Sequence, residues 1–218
     1  MKRQIRQNVF ETNSSSMHSL VVKKNSEYFT EQEVKDDLWV SENGLIDLPY
    51  NDMYYGRSPF QVLSSFREKM FYVIASMCNF KGDLVYNEVK ELVRSYIPHF
   101  TDFDTELETH SCSTRYWTQD EMKKCYGEGN YIRKDDYFVY WNYALGGVDE
   151  DILTGFLEKE NITITEFITN KRYVVIVDGD EYCIYKDMKR NGLINMDNIE
   201  KEYPPSDWMD CDEEKDCD

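Results

Sequence analysis

Residues 58–98 read SPFQVLSSFREKMFYVIASMCNFKGDLVYNEVKELVRSYIP, and the spacing of apolar side chains in this stretch decides the fold class. Ser58 followed by Pro59 has the form of a helix start, with serine as N-cap and proline where its missing N–H costs nothing. Phe60, Leu63, Phe66, Met70, Val73, Ile74 and Met77 then recur close to the helical period. Asp83 opens a second run, with Val85, Val89, Leu92, Val93 and Tyr96 on one face, and Pro98 stops it. The short link Phe80-Lys81-Gly82 between the runs predicts an antiparallel helical hairpin.

The flanks of this hairpin read mostly as strands. Residues 3–10 and 18–23 form one pair, the second carrying the apolar centre Leu20-Val21-Val22. Thr30-Glu31-Gln32-Glu33 is a capping box opening a short helix to about Leu38. Residues 44–48 suit a short strand, and 51–57 a tyrosine-bearing loop. Beyond the hairpin, 99–117 is irregular and acidic, and a further capping box, Thr118-Gln119-Asp120-Glu121, begins a brief helix. Residues 137–145 suit an aromatic strand, and 149–160 a helix with Ile152, Leu153, Phe156 and Leu157 inward. Residues 162–168 alternate Ile and Thr as a strand would. Residues 172–177 and 181–185 flank Asp178-Gly179-Asp180, a strong hairpin signal. A helical turn over 186–190 closes at Asn191-Gly192.

The expected fold is therefore α+β, an antiparallel sheet from the N-terminal and C-terminal hairpins packed against a central helical hairpin. Residues 1–203 form a single domain in this reading, with a point of sub-division near 98–117, and 204–218 an acidic, flexible tail. A chain of 218 residues that is 41% hydrophobic has enough apolar surface for such a core. The six cysteines include no CxxC pair, and no apolar secretory core follows Met1-Lys2-Arg3. No run approaches eighteen apolar residues, so no membrane helix is expected. The expected location is a cytosol, with the thiols reduced.

The formal net charge is −17. Phosphate backbones and anionic membranes attract basic faces, so neither is an expected partner. A basic protein is, above all one whose nucleic-acid groove accepts carboxylates in place of phosphates. The charge is also uneven. Residues 1–24 carry Lys2, Arg3, Arg6, Lys23 and Lys24 against Glu11, whereas the last twelve hold seven acids and one lysine. The carboxylates expected to meet the partner are Asp102, Asp104, Glu106 and Glu108, with Asp210, Asp212, Glu213 and Glu214 in the tail. Ordinary solubility explains the same charge without any partner.

Residues 10–20, FETNSSSMHSL, form the least ordinary short segment. Asn13, Ser14, Ser15 and Ser16 offer side-chain and backbone donors for an anion nest, with Arg3 and Arg6 adding positive potential. His18 suits proton transfer, with Ser16 as nucleophile and Glu11 orienting the imidazole. In that alternative the chain is a small protein or enzyme acting on a nucleotide or phosphate ester. The competing reading is structural, with Asn and Ser closing Asx- and ST-turns and His18 a sheet residue.

The stretch VFETNSSSMHSLVV, within residues 6–22, resembles an N-terminal signature shared by a group of bacteriophage and mobile-element proteins. The resemblance implies a phage or prophage accessory protein and carries no activity with it. His110, Cys112 and Cys125 do not match a common zinc spacing. Asp178-Gly179-Asp180 suits a tight turn better than a metal loop. P-loop, GxGxxG, GxSxG and HExxH motifs are missing from the sequence, so no metal or cofactor is expected. Tyr137, Phe138, Tyr140, Trp141 and Tyr143 suit a core, or an interface if exposed. Taken together, charge, motif content and resemblance predict a non-enzymatic, anti-defence (anti-CRISPR-like) protein that mimics nucleic acid.

Overall fold

Strand β1, Met17–Lys23, is built from residues that favour an extended, two-sided burial, and it lies between two strands from the other end of the chain. The computed structural model describes residues 17–48, 55, 60–104, 131–134, 137–140, 150–178 and 184–203. Within them follow α1 (Glu31–Asp37), β2 (Leu45–Asp47), β3 (Gln61–Leu63), α2 (Phe66–Tyr96) and β4 (Asp102–Asp104). Next come β5 (Tyr131–Lys134), β6 (Tyr137–Tyr140), α3 (Glu150–Glu160), α4 (Ile164–Thr169), β7 (Tyr173–Asp178), α5 (Ile184–Arg190) and β8 (Ile199–Tyr203).

The main sheet has the order β3-β7-β1-β8, and every pairing in it is antiparallel. The α+β class is as the sequence predicts. All six residues of β7 are buried, as expected of an interior strand covered on both faces. Leu20, Val22, Val175, Val177 and Leu63 face the large core, with α2 at its centre. Val21, Val174 and Ile176 face the other way, onto Tyr185 of α5. Two smaller pairings lie apart from this sheet, parallel β2–β4 and antiparallel β5–β6.

Several expected elements differ. The central helical hairpin is instead one continuous helix of 31 residues, α2. Its length is about 46 Å at 1.5 Å per residue. Ile74 and Val85 are eleven residues apart, close to three full turns, so both apolar runs keep to one face of a straight helix. A single interior glycine costs only about 1 kcal/mol, too little to break it. The helix also starts later than Ser58-Pro59 suggests. Ser65 is the N-cap, in a reciprocal capping box with Glu68, and Gln61–Leu63 pair with β7.

Residues 162–168 are not a strand. Thr163 Oγ1 accepts from Glu166 N at 3.1 Å and starts α4, whose Ile164, Phe167 and Ile168 are buried at helical spacing. The expected strand over 181–185 is also corrected in its described part, since Ile184 already begins α5. Asp178 Oδ2 accepts from Tyr185 N at 2.8 Å and fixes that helix start. Over Leu20–Val22 both edges of β1 are taken, by β7 and β8, so no sequence-local partner fits alongside. The stretch 99–117, expected to be irregular, carries β4 at Asp102–Asp104, and its remainder from 105 onward, the expected strand 3–10, the helix opening at Thr118, the 179–180 turn and the 204–218 tail lie outside the described residues.

The β2–β4 junction depends on Gly44. Its φ is +78°, its N–H donates to Ser41 O at 2.9 Å and its carbonyl accepts from Thr101 N at 2.7 Å. A Cβ there would collide with the carbonyl oxygen of His99. Gly44→Ala is expected to cost about 1–3 kcal/mol, from left-handed strain and the clash, read as a lowered urea midpoint with unchanged slope.

Candidate functional site

From Lys69 to Ser76, every residue of α2 is buried, so the polar groups there must find partners inside the protein. Ser76 Oγ donates to Tyr72 O one turn back at 2.7 Å. Tyr72 Oη lies 3.1 Å from Nδ1 of His18 on β1. The other ring nitrogen, Nε2, is 3.4 Å from the backbone carbonyl of Tyr55. A carbonyl only accepts, so Nε2 carries the proton and Nδ1 accepts from the tyrosine hydroxyl. The three rings also meet edge-on or tilted, with centroids 5.4–6.3 Å apart. Burial pushes the His18 pKa down to about 4, against a smaller upward pull from the Tyr55 carbonyl.

His18 is thus neutral at neutral pH and wholly inside the sheet–helix core. A neutral ring adds no positive charge to an anion site. Glu11, Asn13, Ser14, Ser15, Ser16, Arg3 and Arg6, the other members of the expected N-terminal site, lie outside the described residues.

One turn before Tyr72, Lys69 sends its side chain to the C-terminal end of α4. Its Nζ donates to Asn170 O at 2.7 Å and to Phe167 O at 3.0 Å. It stands 5.1 Å from the Phe29 ring centroid and 5.8 Å from that of Phe167. Phe167 O belongs to the group a helix end leaves without backbone partners, while Asn170 O at the cap also accepts from Tyr173 N at 3.4 Å. Phe29 N satisfies a third, Thr169 O, at 2.9 Å. The sequence reading overlooked Lys69, although a signal exists. The residue lies three after Phe66 and four before Val73, on the stripe that the apolar pattern marks as inward.

Of the eight carboxylates expected to meet a partner, Asp102 and Asp104 are among the described residues. Asp102 is half-buried and engaged, its Oδ1 lying 3.0 Å from Lys90 Nζ and accepting from Tyr86 Oη at 2.9 Å and Phe103 N at 2.8 Å. Burial raises its pKa, but these partners outweigh it and bring the carboxyl below its usual range. Asp104 is exposed, in register with Asp47 of β2.

The charge itself is unevenly placed. The described residues hold 23 acids against 17 lysines and arginines, a net of −6, so −11 belongs to the remainder. Residues 204–218 alone carry seven acids and one lysine. Among the described residues at least eight carboxylates sit in ion pairs, including Glu33–Lys171, Glu200–Arg172, Glu202–Lys189 and Glu160–Lys201. Among these residues there is no cluster of His, Cys, Asp or Glu suited to a metal ion, and no helix long and apolar enough to cross a membrane. Comparison with protein-family models, curated proteins and solved structures found no match to this chain.

The His18 arrangement makes the fold acid-sensitive in a defined window. The folded pKa of about 4 lies below the ordinary 6.5, so the unfolded chain binds the proton more readily between those values. The stability tied to neutral His18 is full above pH 6.5 and lost as pH falls through 4, about 3 kcal/mol in all. In His18→Phe, the loss of unfolding free energy between pH 7 and pH 4.5 is expected to shrink by about 2 kcal/mol, measured by urea titration at each pH.

Proposed function

We propose that this chain is a non-enzymatic binding protein that covers the basic, nucleic-acid-binding surface of another protein and so keeps nucleic acid off it. This is the mode of action of an anti-defence, anti-CRISPR-like inhibitor from a phage or mobile element, acting in the cytosol of the host bacterium. The observation that carries the reading is the distribution of carboxylate. The described residues carry a net −6 spread over the whole body, with at least eight carboxylates in ion pairs, while residues 204–218 carry the same net −6 in only fifteen residues. A solvated acid already held by a lysine offers little to a partner, because its field is cancelled locally. The docking element is therefore centred on Asp210, Asp212, Glu213 and Glu214. Asp104, Glu106 and Glu108 serve as secondary contacts, and Asp102 is retained by the fold. The resemblance of residues 6–22 to phage and mobile-element proteins supports the biological setting.

Charge mimicry of this kind weakens with ionic strength, since exposed charges are screened within about 8 Å in physiological salt. The intact chain is expected to displace duplex DNA from a basic host protein recovered from bacterial lysate. Ending the chain at Tyr203 should lower that affinity at least about tenfold, and raising salt from about 50 to about 500 mM should do the same. Displacement that survives both changes undiminished would sink the proposal.

A further inference from the structure

Lys69 presents an arrangement that the binding function does not use. Its side chain is fully buried and no carboxylate among the described residues lies within ion-pair distance. An ammonium carries three N–H donors, but the two well-placed acceptors are the carbonyls of Phe167 and Asn170. A neutral amine has two donors, the number these carbonyls take. Loss of the proton therefore leaves both hydrogen bonds intact and removes a charge that burial disfavours.

The surrounding charges do not restore the balance. Lys23 from β1 repels the ammonium, and Glu166 from α4 is the carboxylate that favours it. Glu166 is already taken up, accepting from Tyr28 Oη at 2.9 and 2.7 Å and from Asn170 Nδ2 at 2.9 Å. Lys171, from the turn after α4, stands 5.3 Å from the same Phe29 ring and is paired with Glu33 of α1. On α2 itself, the Glu68 carboxylate turns back to Ser64 N and Ser65 N. Lys69 also lies in the first turns of α2, where the helix dipole disfavours a cation.

We propose that Lys69 is a proton-linked latch, joining α2 to the end of α4 through two hydrogen bonds that both of its protonation states can make. In the neutral state the latch is closed at no electrostatic cost. In the charged state the same bonds hold a cation with no paired carboxylate among β1, α2 and α4, eased only by the faces of Phe29 and Phe167, and the junction is weaker. The burial that makes this so brings the pKa down to about 7. The folded value is below the unfolded 10.5, so the unfolded chain binds more protons between them. Stability consequently rises with pH from about 7 towards 10.5 and is lowest below 7.

The test is urea unfolding of the intact chain and of Lys69→Met at several pH values from 6 to 9. The variant loses a fixed amount at every pH, because two carbonyls lose the lysine hydrogen bonds, so the pH slope is the readout. The unfolding constant of the wild-type chain, relative to the variant, is expected to fall about a hundredfold between pH 6 and pH 9. Parallel pH profiles would overturn the latch. Where Lys69→Met does not fold, NMR of lysine-labelled wild-type chain decides the matter. One ε-methylene resonance should titrate near neutrality, and a set that all titrates at about 10 or above would overturn the proposal.

Discussion

Burial of α2 on every side over Lys69–Ser76 governs much of what surrounds it. A helix that touches solvent on one face can leave its polar side chains to water, but this segment cannot. Each of its three polar side chains is therefore matched from within: Ser76 to its own helix, Tyr72 to β1 and Lys69 to α4. Two of those matches tie α2 to other elements, so the cost of burying polar groups becomes a specification of where those elements sit. The neutrality of His18 belongs to the same constraint, because burial disfavours a charged ring there and the partners beside it are a tyrosine hydroxyl and a backbone carbonyl.

The sequence was most legible where periodicity and capping agreed. The Thr30 capping box marks α1, and the apolar set from Ile152 to Leu157 marks α3. It was misleading where one pattern overlay another. Ile162-Thr163-Ile164-Thr165 alternates like a strand, yet Thr163 with Glu166 has the spacing of a helix start, and the cap prevails. Gly82 and Asp83 resemble a turn, but the eleven-residue spacing of Ile74 and Val85 keeps the helix in phase across them.

Sites were less legible than elements. His18 drew notice for its hydroxyl-rich neighbours, and it is the partners distant in sequence, Tyr55 and Tyr72, that set its chemistry. Lys69 carries no mark in the sequence beyond its place on the apolar stripe of α2. Only the packing of α4 and Phe29 around it reveals an amine held by carbonyls and rings. Charge shows the same limit from the other direction. A total of −17 reads as an evenly acidic molecule, whereas the described residues carry −6 of it and the other −11 lies elsewhere in the chain.

The placement of β1 between β7 and β8 also has a bearing on how the molecule is made. Residues 17–23 leave the ribosome about 150 residues ahead of both neighbours, which lie beyond residue 172. At about 5–20 residues per second, an apolar strand with two open edges waits on the order of ten seconds or more for the remainder of the chain. Through that interval it is a ready template for stray β-pairing. Translation speed and chaperone capture of this segment thus bear on yield, whatever the finished protein's stability.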